Sequence, residues 1–574
     1  MSAIAITQST TQGRRQIVNV RQLSLLTAKW RVFFVLAAFT LVAVCALLRI
    51  VWLGFVQPAP NSRSMADALL PPRGEIVDRN GVPLARAFPA YALWYNPEAM
   101  GGGTPLVKPP REVAAALVRI FPDMNVDDIA TRLATGKPGY LRRRVLPEDA
   151  NRVHDLGEPA LEFPRENERY YPQGSMAAHV LGFVGADGKG RVGMEEVFNE
   201  ALTDPARRAA PAVLSIDARV QGALEDELGR GMRLSAAKGA AGIVLDVDTG
   251  EVMALASLPA FNPNLIDRAS SSYIFNRVTN QVYELGSTFK PLSVAAAIDA
   301  GTVTNLGRRY QASRPIAIGG FQIRDSHALG ASLNVPESLI HSSNIVTAQI
   351  ADELGGARLK ATMQALGMNE RPYIELPAKG FPLWPRGEWS RITTMTVSYG
   401  HGIAVTPLHL ASAYAAMVNG GIWRPATLHK LAPQDVPAGR RVFKASTSAR
   451  MRQLMRLIVS DGTGRKADAE GFRIGGKTGS AEKPGAGGYR RSSLVATFAA
   501  AFPMDHPRYV VIAMLDEPQG TQATSFQRTA AWNAAPIVAR VVPRVGPLLG
   551  VMPDNTRDVD ISDLAPLLPK GRTE

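Results

Sequence analysis

Three short motifs whose side chains suit acyl transfer follow one another along the chain. They are Ser-Thr-Phe-Lys at 287–290, Ser-Ser-Asn at 342–344 and Lys-Thr-Gly at 477–479. A serine hydroxyl is a weak nucleophile that needs a neighbouring base, and a lysine amine can be that base when burial lowers its pKa. Each motif alone is common by chance, so order and local context decide whether they form one site.

The segment after Ser287 has the pattern of a buried helix. Pro291 precedes a mainly apolar run at 292–298, and a glycine follows soon after it. Proline is tolerated in a helix's first turn and glycine is favoured just past its end, so we predict a helix from about Thr288. Ser287 then lies at a helix N-terminus, where free N–H groups favour a developing negative charge, and Lys290 can reach its hydroxyl.

The pattern Ser-x-x-Lys also occurs at 235–238 and 480–483. The first occurrence lies in a glycine-flanked stretch of small residues. The second runs into the glycine-rich segment 484–488, which is predicted to be a loop. Neither precedes an apolar helix, and Ser287 is therefore the candidate nucleophile.

The second motif, at 342–344, lies between the segment 336–340 and the apolar run 345–350. This placement predicts a turn between two helical segments. A Ser342 hydroxyl there can relay a proton between a base and a leaving amine, and the Asn344 amide can bind a substrate backbone amide. An N-cap serine followed by a turn asparagine is the alternative interpretation.

The third motif follows two glycines and precedes strand-like runs at 494–498 and 508–515. Glycines beside Lys477 let a substrate backbone lie against the edge of a strand, as in peptide recognition by strand addition. The ammonium group of Lys477 and the hydroxyl of Thr478 would then hold a carboxylate. A nucleotide-binding loop is the alternative.

Further segments resemble, in the same order, motifs of the class B penicillin-binding proteins. These segments are 73–81, 171–174, 178–182, 192–196, 215–217, 246–251, 398–402 and 419–421. The resemblance extends over roughly residues 70–540 and is to the septal, FtsI-like type. The chain departs from the family at Leu285, where proline is frequent, and at Ser480, where a threonine often follows Lys-Thr-Gly.

The resemblance implies a peptidoglycan D,D-transpeptidase that crosslinks stem peptides ending in D-Ala-D-Ala, is acylated by β-lactams and needs no cofactor. The implied fold class is α+β, with a single N-terminal transmembrane helix, an elongated pedestal domain and a transpeptidase domain whose antiparallel sheet is covered by helices. The implied partners are a polytopic FtsW-like glycosyltransferase and other division proteins. A glycosyltransferase domain is not expected, because the pattern Glu-Asp-x-x-Phe-x-x-His-x-Gly is absent.

The same resemblance carries catalytic roles over to this chain. Ser287 corresponds to the nucleophile, Lys290 to its base and Ser342 to the proton relay. The substrate-binding residues are Asn344 for the donor backbone, Lys477 and Thr478 for the terminal carboxylate, and Gly479 and Ser480 beside them. The backbone N–H groups of Ser287 and Ser480 correspond to the oxyanion hole, in which one donor commonly contributes about 3–4 kcal/mol.

Other functions remain open at this stage. A β-lactamase needs a base that hydrolyses the acyl-enzyme, and no Glu-x-x-x-Asn pattern lies between the second and third motifs. A D,D-carboxypeptidase side activity, in which water is the acceptor, is compatible with the same residues. So are an elongation-type rather than septal role, and a largely scaffolding role in the division machinery. The acceptor amine, diaminopimelate or lysine, is not determined by these motifs.

An apolar run near the N-terminus predicts a membrane anchor. Residues 32–48 carry no charge and, with the apolar residues after Arg49, approach the ~20 residues that a bilayer requires. Residues 1–31 contain five basic residues and no acidic one, which predicts a cytoplasmic N-terminus and a periplasmic body. A cleaved signal peptide is the alternative, but the run is long and no small-x-small site follows it. A twin-arginine export signal is another alternative for the pair Arg14 and Arg15, but a basic topology signal already explains both residues.

Together these patterns predict five segments and an inner-membrane location. The segments are a basic cytoplasmic tail (1–31), a transmembrane anchor (32–56), a periplasmic pedestal of the class B dimerisation type (57–209), a transpeptidase domain (210–555) and a loose polar C-terminal tail (556–574). Residues 57–64 are predicted to be a linker that connects the anchor to the periplasmic pedestal. The predicted terminal helix of the transpeptidase domain lies near 529–542.

The composition does not favour nucleic acid or metal binding. The formal net charge is +14, but five of the basic residues lie in the N-terminal tail and no lysine-rich run follows. The eight histidines include no His-Glu-x-x-His pattern, and the single cysteine, Cys45, leaves no zinc pattern. His401 and His409 are interpreted as structural.

The anchor prediction can be tested by protease accessibility. Because the basic tail is expected to stay in the cytoplasm, protease added to spheroplasts should digest the chain beyond about residue 57 and spare a small N-terminal fragment. Immunoblotting with an N-terminal tag measures that fragment. A mature protein that begins after residue 45 would show that the apolar run is a signal peptide.

Overall fold

The structure is a computed structural model of the chain. It describes residues 6–9, 15–18, 20–55, 73–99, 101, 106–185, 187–268, 271–485 and 488–568. The predicted linker at 57–64 and residues 569–574 lie outside these ranges. The chain forms two units, Met1–Leu70 and Pro71–Glu574.

The first unit contains an antiparallel strand pair and one long helix. The strands are β1 (Ile6–Ser9) and β2 (Arg15–Val18), and the helix α1 (Val20–Phe55) is 36 residues long. Its part Ala28–Arg49, 22 residues, is long and apolar enough to cross a membrane, and its large apolar side chains are exposed. The predicted N-terminal apolar helix is confirmed, and it begins at Val20, before the predicted start of the anchor at residue 32.

The second unit opens with a six-stranded sheet. Its strands are β3 (Ile76–Val77), β4 (Pro83–Tyr95), β5 (Gly139–Val145), β6 (Leu161–Glu162), β7 (Arg165–Tyr170) and β10 (Ala212–Val213), and a separate pair is formed by β8 (Phe183–Val184) and β9 (Gly190–Val192). Strand β4 pairs antiparallel with β3, β5, β6 and β7, whereas β10 pairs parallel with β3. The helices here are α2 (Pro110–Ile120), α3 (Val126–Ala134), α4 (Pro147–His154), α5 (Ala178–Leu181), α6 (Gly193–Val197) and α7 (Asn199–Thr203).

Two of the family-like segments meet in a buried ion cluster. The Arg73 Nε donates to Glu195 Oε2 at 2.8 Å, and the Arg169 Nε donates to Glu195 Oε1 at 2.6 Å. Glu195 has no exposed surface. Removing one partner of a buried ion pair commonly costs about 3–5 kcal/mol, because it leaves an uncompensated charge. These segments therefore stabilise the pedestal.

The pedestal is joined to the rest of the unit by polar contacts of the segment 73–81. The Asp78 carboxylate accepts from the Ala218 N–H at 3.0 Å, and the Asn80 side chain donates to Asp217 at 2.9 Å. Strand β10 also adds residues 212 and 213 to the pedestal sheet, although they lie beyond the predicted boundary at 209. The chain therefore passes from one sheet to the next without a free linker.

The second sheet has five antiparallel strands. They are β11 (Gly239–Asp246), β12 (Val252–Leu258), β19 (Gly475–Gly485), β20 (Gly488–Phe502) and β21 (Tyr509–Asp516). The spatial order is β12-β11-β21-β20-β19, so β19 is an edge strand. The hairpin predicted around 246–251 is confirmed. Its turn forms because Asp246 Oδ1 accepts from the N–H groups of Asp248 and Thr249, both at 2.9 Å.

Helices cover both faces of this sheet. Helices α8 (Ala218–Leu234) and α17 (Ala534–Val545) pack on one face through residues such as Leu224 and Val541. The other face carries a larger core to which several helices contribute buried residues: α10 (Lys290–Asp299), α11 (Val335–Ile340), α12 (Asn344–Leu354), α13 (Gly356–Ala365), α14 (Arg391–Ser398), α15 (Pro407–Val418) and α16 (Ala445–Ser460). A short 3-10 turn, Gly286–Phe289, precedes α10, and the short helix α9 (Ser271–Ile274) has no buried residue. Small ribbons join β13 (Tyr310–Gln311) to β16 (Ser332–Leu333), β14 (Ile316–Ile318) to β15 (Phe321–Ile323), and β17 (Ile422–Trp423) to β18 (Arg440–Arg441). The α+β architecture predicted from sequence is confirmed.

Three local predictions need correction. The hairpin of β19 and β20 extends into the predicted loop at 484–488, because Pro484 pairs with Tyr489 and Gly485 with Gly488. The terminal helix begins at Ala534 rather than near 529. The description of 556–574 as a loose tail is wrong for residues 556–568, since Leu564 is buried in the main core and neighbouring apolar residues pack against it.

Candidate active site

The Ser287 side chain lies in a tight turn against strand β19. The turn Gly286–Phe289 is a 3-10 helix, and α10 begins at Lys290, so the predicted helix is confirmed with a tighter first turn. A Cβ atom on Gly479 would lie 2.3 Å from the Leu285 carbonyl oxygen. Only glycine lets the strand approach the turn so closely. The Tyr414 hydroxyl donates to the Thr288 carbonyl at 2.7 Å and holds the turn from the core side.

The Ser342 hydroxyl is the meeting point of two lysine side chains. The Lys290 Nζ donates to Ser342 Oγ at 3.0 Å and also to its carbonyl oxygen, and the Lys477 Nζ donates to Ser342 Oγ at 2.9 Å. Ser342 has a φ of 61°, which is unusual for a residue with a side chain and costs of order 1 kcal/mol or more. The predicted turn between α11 and α12 is confirmed. The described hydrogen bonds of Lys290 run to Ser342 and not to Ser287.

Asp325 holds the turn that carries Ser342. Its carboxylate accepts from the Ser343 hydroxyl at 2.8 Å, from the Asn344 N–H at 2.5 Å and from the Ile345 N–H at 3.1 Å. The Ser343 hydroxyl in turn caps α12 by accepting from Val346 at 3.1 Å. The sequence analysis missed Asp325, because it lies in an irregular segment with no motif around it.

The Lys477 side chain lies along the edge strand beside a threonine pair. Its Nζ also donates to Thr478 O at 3.0 Å and to Thr478 Oγ1 at 3.1 Å, and the Thr463 hydroxyl lies 3.1 Å from Thr478 Oγ1. Thr463 was not predicted. Residues 471–478 do match the spacing Gly-x-x-x-x-Gly-Lys-Thr, but Lys477 lies within a strand that continues to Gly485 with no helix after it. The nucleotide-loop alternative is therefore wrong.

Burial changes the protonation of both lysines. Lys290 and Lys477 have no exposed surface. Burial lowers the pKa of Lys477 to about 7. Burial, together with the neighbouring charge of Lys477, lowers the pKa of Lys290 well below its ordinary value, and the Asp325 carboxylate opposes that shift only in part. Burial therefore favours the neutral amine at both positions, and acid–base chemistry on a serine requires a neutral amine.

Two predicted binding residues use their side chains within the protein. The Asn344 side-chain amide donates to the Arg324 carbonyl at 2.9 Å. The Ser480 hydroxyl accepts from the Ala530 N–H at 2.9 Å. These contacts fix both side chains at the border of the site. Their contact with substrate stays a prediction.

The histidines near the site have structural contacts. The His409 ring closes a capping box with Thr406 at the start of α15 and lies 2.9 Å from the Glu370 carbonyl, as expected of a structural residue. The His401 ring lies between Tyr399 and Tyr489, with ring-centre distances of 5.2 and 5.8 Å. Among the described residues, no group of three or more His, Cys, Asp or Glu side chains could hold a metal ion.

Comparison with known proteins agrees with this geometry. Residues 240–541 match the family model of the penicillin binding protein transpeptidase domain, and residues 68–203 match that of the penicillin-binding protein dimerisation domain. The chain is 39% identical over 535 residues to a probable peptidoglycan D,D-transpeptidase FtsI of Caulobacter vibrioides, covering 91% of this chain and 89% of that protein. The chain belongs to the FtsI-like penicillin-binding transpeptidases.

Other relatives of this FtsI-like transpeptidase support the same assignment. The peptidoglycan D,D-transpeptidase FtsI of Escherichia coli is 31% identical, with 92% of this chain and 93% of that protein covered. A crystal structure of penicillin binding protein 3 from Mycobacterium tuberculosis, complexed with aztreonam, aligns with a TM-score of 0.66 at 25% identity, covering 85% of this chain and 98% of that chain. The matched ranges fall within the two larger predicted segments, whose exact limits stay predictions.

The two lysine pKa values predict how acylation depends on pH. As the predicted base, Lys290 must be a neutral amine, and as the predicted carboxylate-binding group, Lys477 must be a cation. The lowered pKa of Lys290 keeps it neutral until the pH falls, whereas the Lys477 cation is lost as the pH rises through about 7. We expect the second-order rate constant for acylation of the free FtsI-like enzyme by a penicillin to fall above about pH 7. Stopped-flow fluorescence measures it.

The matched control for this pH dependence is Lys477→Arg. A guanidinium group stays charged at every accessible pH, so the alkaline fall should disappear even though the planar group fits the site less well and lowers the overall rate. A parent enzyme whose rate constant stays flat between about pH 7 and pH 9 would contradict the assigned titration.

Proposed function

We propose that Ser287 of this FtsI-like transpeptidase forms the acyl-enzyme through which stem peptides of peptidoglycan are crosslinked. The observation that supports this most directly is the sharing of Ser342 Oγ by two buried lysines, at 3.0 Å from Lys290 and 2.9 Å from Lys477. The Ser287 turn lies next to this group of side chains. The edge strand β19, beside this turn, is the proposed docking strand for a peptide.

In the proposed mechanism Lys290 is the base and Ser342 the relay. The neutral Lys290 amine takes the Ser287 proton as Ser287 Oγ attacks the carbonyl carbon of the D-Ala-D-Ala amide. The hydrogen bond from Lys290 to Ser342 Oγ gives that proton a path to the leaving amine, so terminal D-Ala departs as a neutral amine. The side-chain amine of a second stem peptide then attacks the ester carbon, the bond to Ser287 Oγ breaks, and the same groups transfer a proton from that amine to Ser287 Oγ.

The remaining predicted residues bind and polarise the substrate. Lys477 and Thr478 hold the terminal carboxylate of the donor, and Asn344 binds its backbone. The narrow approach at Gly479 and the rigid Ser480 keep the donor strand close to Ser287. The backbone N–H groups of Ser287 and Ser480 stabilise the oxyanion, a contribution that commonly reaches about 3–4 kcal/mol per donor.

The location and partners follow from the anchor helix and the family. We propose a single-pass protein of the inner membrane with a cytoplasmic N-terminus (1–31), an anchor (32–56), a periplasmic pedestal (57–209) and a periplasmic transpeptidase domain (210–555). An FtsW-like polytopic glycosyltransferase that polymerises glycan strands is the proposed partner, because this chain supplies crosslinking alone. The names of the relatives favour septal synthesis during cell division.

Replacement of the nucleophile tests the mechanism. Ser287→Ala should abolish covalent labelling by a fluorescent penicillin while the melting temperature stays close to that of the parent, because the side chain is at the surface of the site. In-gel fluorescence and mass spectrometry of the labelled peptide measure the result. Ser235→Ala is the control, since Ser235 is buried and its hydroxyl donates to Gly231 O at 2.8 Å. Labelling that survives in Ser287→Ala would refute the assignment.

Depletion of the protein distinguishes the septal from the elongation role. Loss of septal crosslinking blocks division while the side wall still grows, so depleted cells should become filaments. Light microscopy of a strain with regulated expression measures this, and restoration by the parent chain but not by Ser287→Ala separates catalysis from scaffolding. Round cells would support the elongation role.

A further inference from the structure

The last described residues form a strap across the transpeptidase domain. The strap is defined here as residues 558–568. Its Leu564 side chain is 1% exposed within the main core, and Val559, Ile561, Leu567 and Leu568 pack against the same core. A segment with this much buried apolar surface is held in place by the hydrophobic effect and does not behave as a free tail.

One end of the strap is bonded to helix α11. The Asn334 side chain caps this helix and forms a capping box with Glu337. Its Nδ2 also donates to the Leu567 carbonyl oxygen at 2.6 Å, and Asn334 is 3% exposed. A buried amide whose oxygen caps the helix and whose nitrogen binds the strap fixes the start of α11 relative to the strap.

The rest of the strap is bonded to helix α16 by charged and polar contacts on one face of that helix. They join Arg456 Nε to Asp558 at 2.8 Å, Gln453 Nε2 to the Asp560 carbonyl at 2.6 Å, and Arg450 to the Asp563 carboxylate. The acidic strap thus lies against a row of basic and amide side chains one turn apart. Arg456 also donates to the Ile474 carbonyl at 3.0 Å, directly before strand β19.

Helices α11 and α16 both end at the active site. Helix α11 leads into the turn that carries Ser342, and the segment after α16 carries Thr463, whose hydroxyl lies 3.1 Å from Thr478 Oγ1. The two ends touch, because the Thr463 N–H donates to the Ile340 carbonyl at 3.2 Å. Any change in the relative position of the two helices therefore moves Ser342 relative to Thr478 and Lys477.

We propose that the strap is a positioning element for acylation, which sets the distance between the Ser342 turn and the Lys477 strand by tying α11 to α16. The proposal rests on the proposed role of Ser287 as nucleophile. Each strap ion pair is partly exposed and weak alone, but the buried Leu564 and the Asn334 bond make their effects cooperative. A shift of about 1 Å at a catalytic group can slow a reaction by about a hundredfold, so a small loss of alignment is measurable.

Two truncations of the full-length protein in detergent test the strap. A chain that ends at Arg557 loses it, whereas a chain that ends at Leu568 keeps every described contact and is the control. We expect the limiting rate constant of acylation by a fluorescent penicillin to fall by about tenfold or more in the first chain and to stay at the parental value in the second. The noncovalent binding constant and the final labelled fraction of folded protein should change little.

A charge exchange tests the same idea without removing buried residues. Arg450→Asp places like charges opposite Asp563 and should slow acylation, and the double variant Arg450→Asp with Asp563→Arg should restore the parental rate. The control is Arg544→Asp, which breaks a comparable pair with Asp226 between α17 and α8, on the opposite face of the sheet. This control should leave the acylation rate unchanged.

The outcomes separate positioning from simple stabilisation. Slower acylation per labelled site, with rescue by the exchange, supports the proposal. Parental rates in both the truncated chain and Arg450→Asp would overturn it, and so would a loss of melting temperature and labelled fraction at an unchanged rate. An error in the assignment of Ser287 as the nucleophile has a different readout, because mass spectrometry of the parent protein would then find the penicillin label on another residue.

Discussion

Two buried lysine amines that share one hydroxyl impose the main constraint on this fold. The Lys290 and Lys477 side chains are both fully buried, and both donate to Ser342 Oγ. Two like charges in a medium of low dielectric constant repel each other strongly, so the site is stable only when at least one amine is neutral. The proposed mechanism needs the same state, because Lys290 is the proposed base and must be neutral, whereas Lys477 is the proposed carboxylate-binding group and must be a cation. Stability and function therefore require the same proton distribution.

The surrounding architecture exists to bring those three side chains together from distant parts of the chain. The strand that carries Lys477 approaches the Ser287 turn closely because Gly479 has no side chain. The turn that carries Ser342 has a left-handed backbone at that residue, and Asp325 holds the residues after it. Tyr414 and the core beneath α10 fix the turn that precedes Lys290. Each contact is ordinary in strength, but together they leave the site little freedom, which is the condition for efficient proton transfer.

Local sequence patterns were sufficient to predict the helices, turns and strands. They were not sufficient to predict contacts between residues far apart in the sequence. The positions of proline, glycine and apolar runs predicted the helix after Ser287, the turn at 342–344 and the hairpin at 246–251. The conformation of each of these elements depends on residues close to it in the sequence. Asp325 and Thr463 were missed because their importance depends on residues 15 or more positions away. The polar sequence of the strap predicts a loose tail, whereas in the fold two of its aspartates, Asp558 and Asp563, pair with arginines of α16.

The order of strands in the second sheet also affects how the domain can form. Strand β11, at 239–246, pairs with β21, at 509–516, so the central pair of the sheet joins segments separated by more than half of the domain. Such distant pairing slows folding, because the chain loses the conformational entropy of a long loop before the stabilising contacts between the strands form. During synthesis the apolar helices of the larger core emerge before their sheet is complete. The apolar surface of these helices therefore stays exposed to aggregation for longer than it would in a fold with local strand pairing.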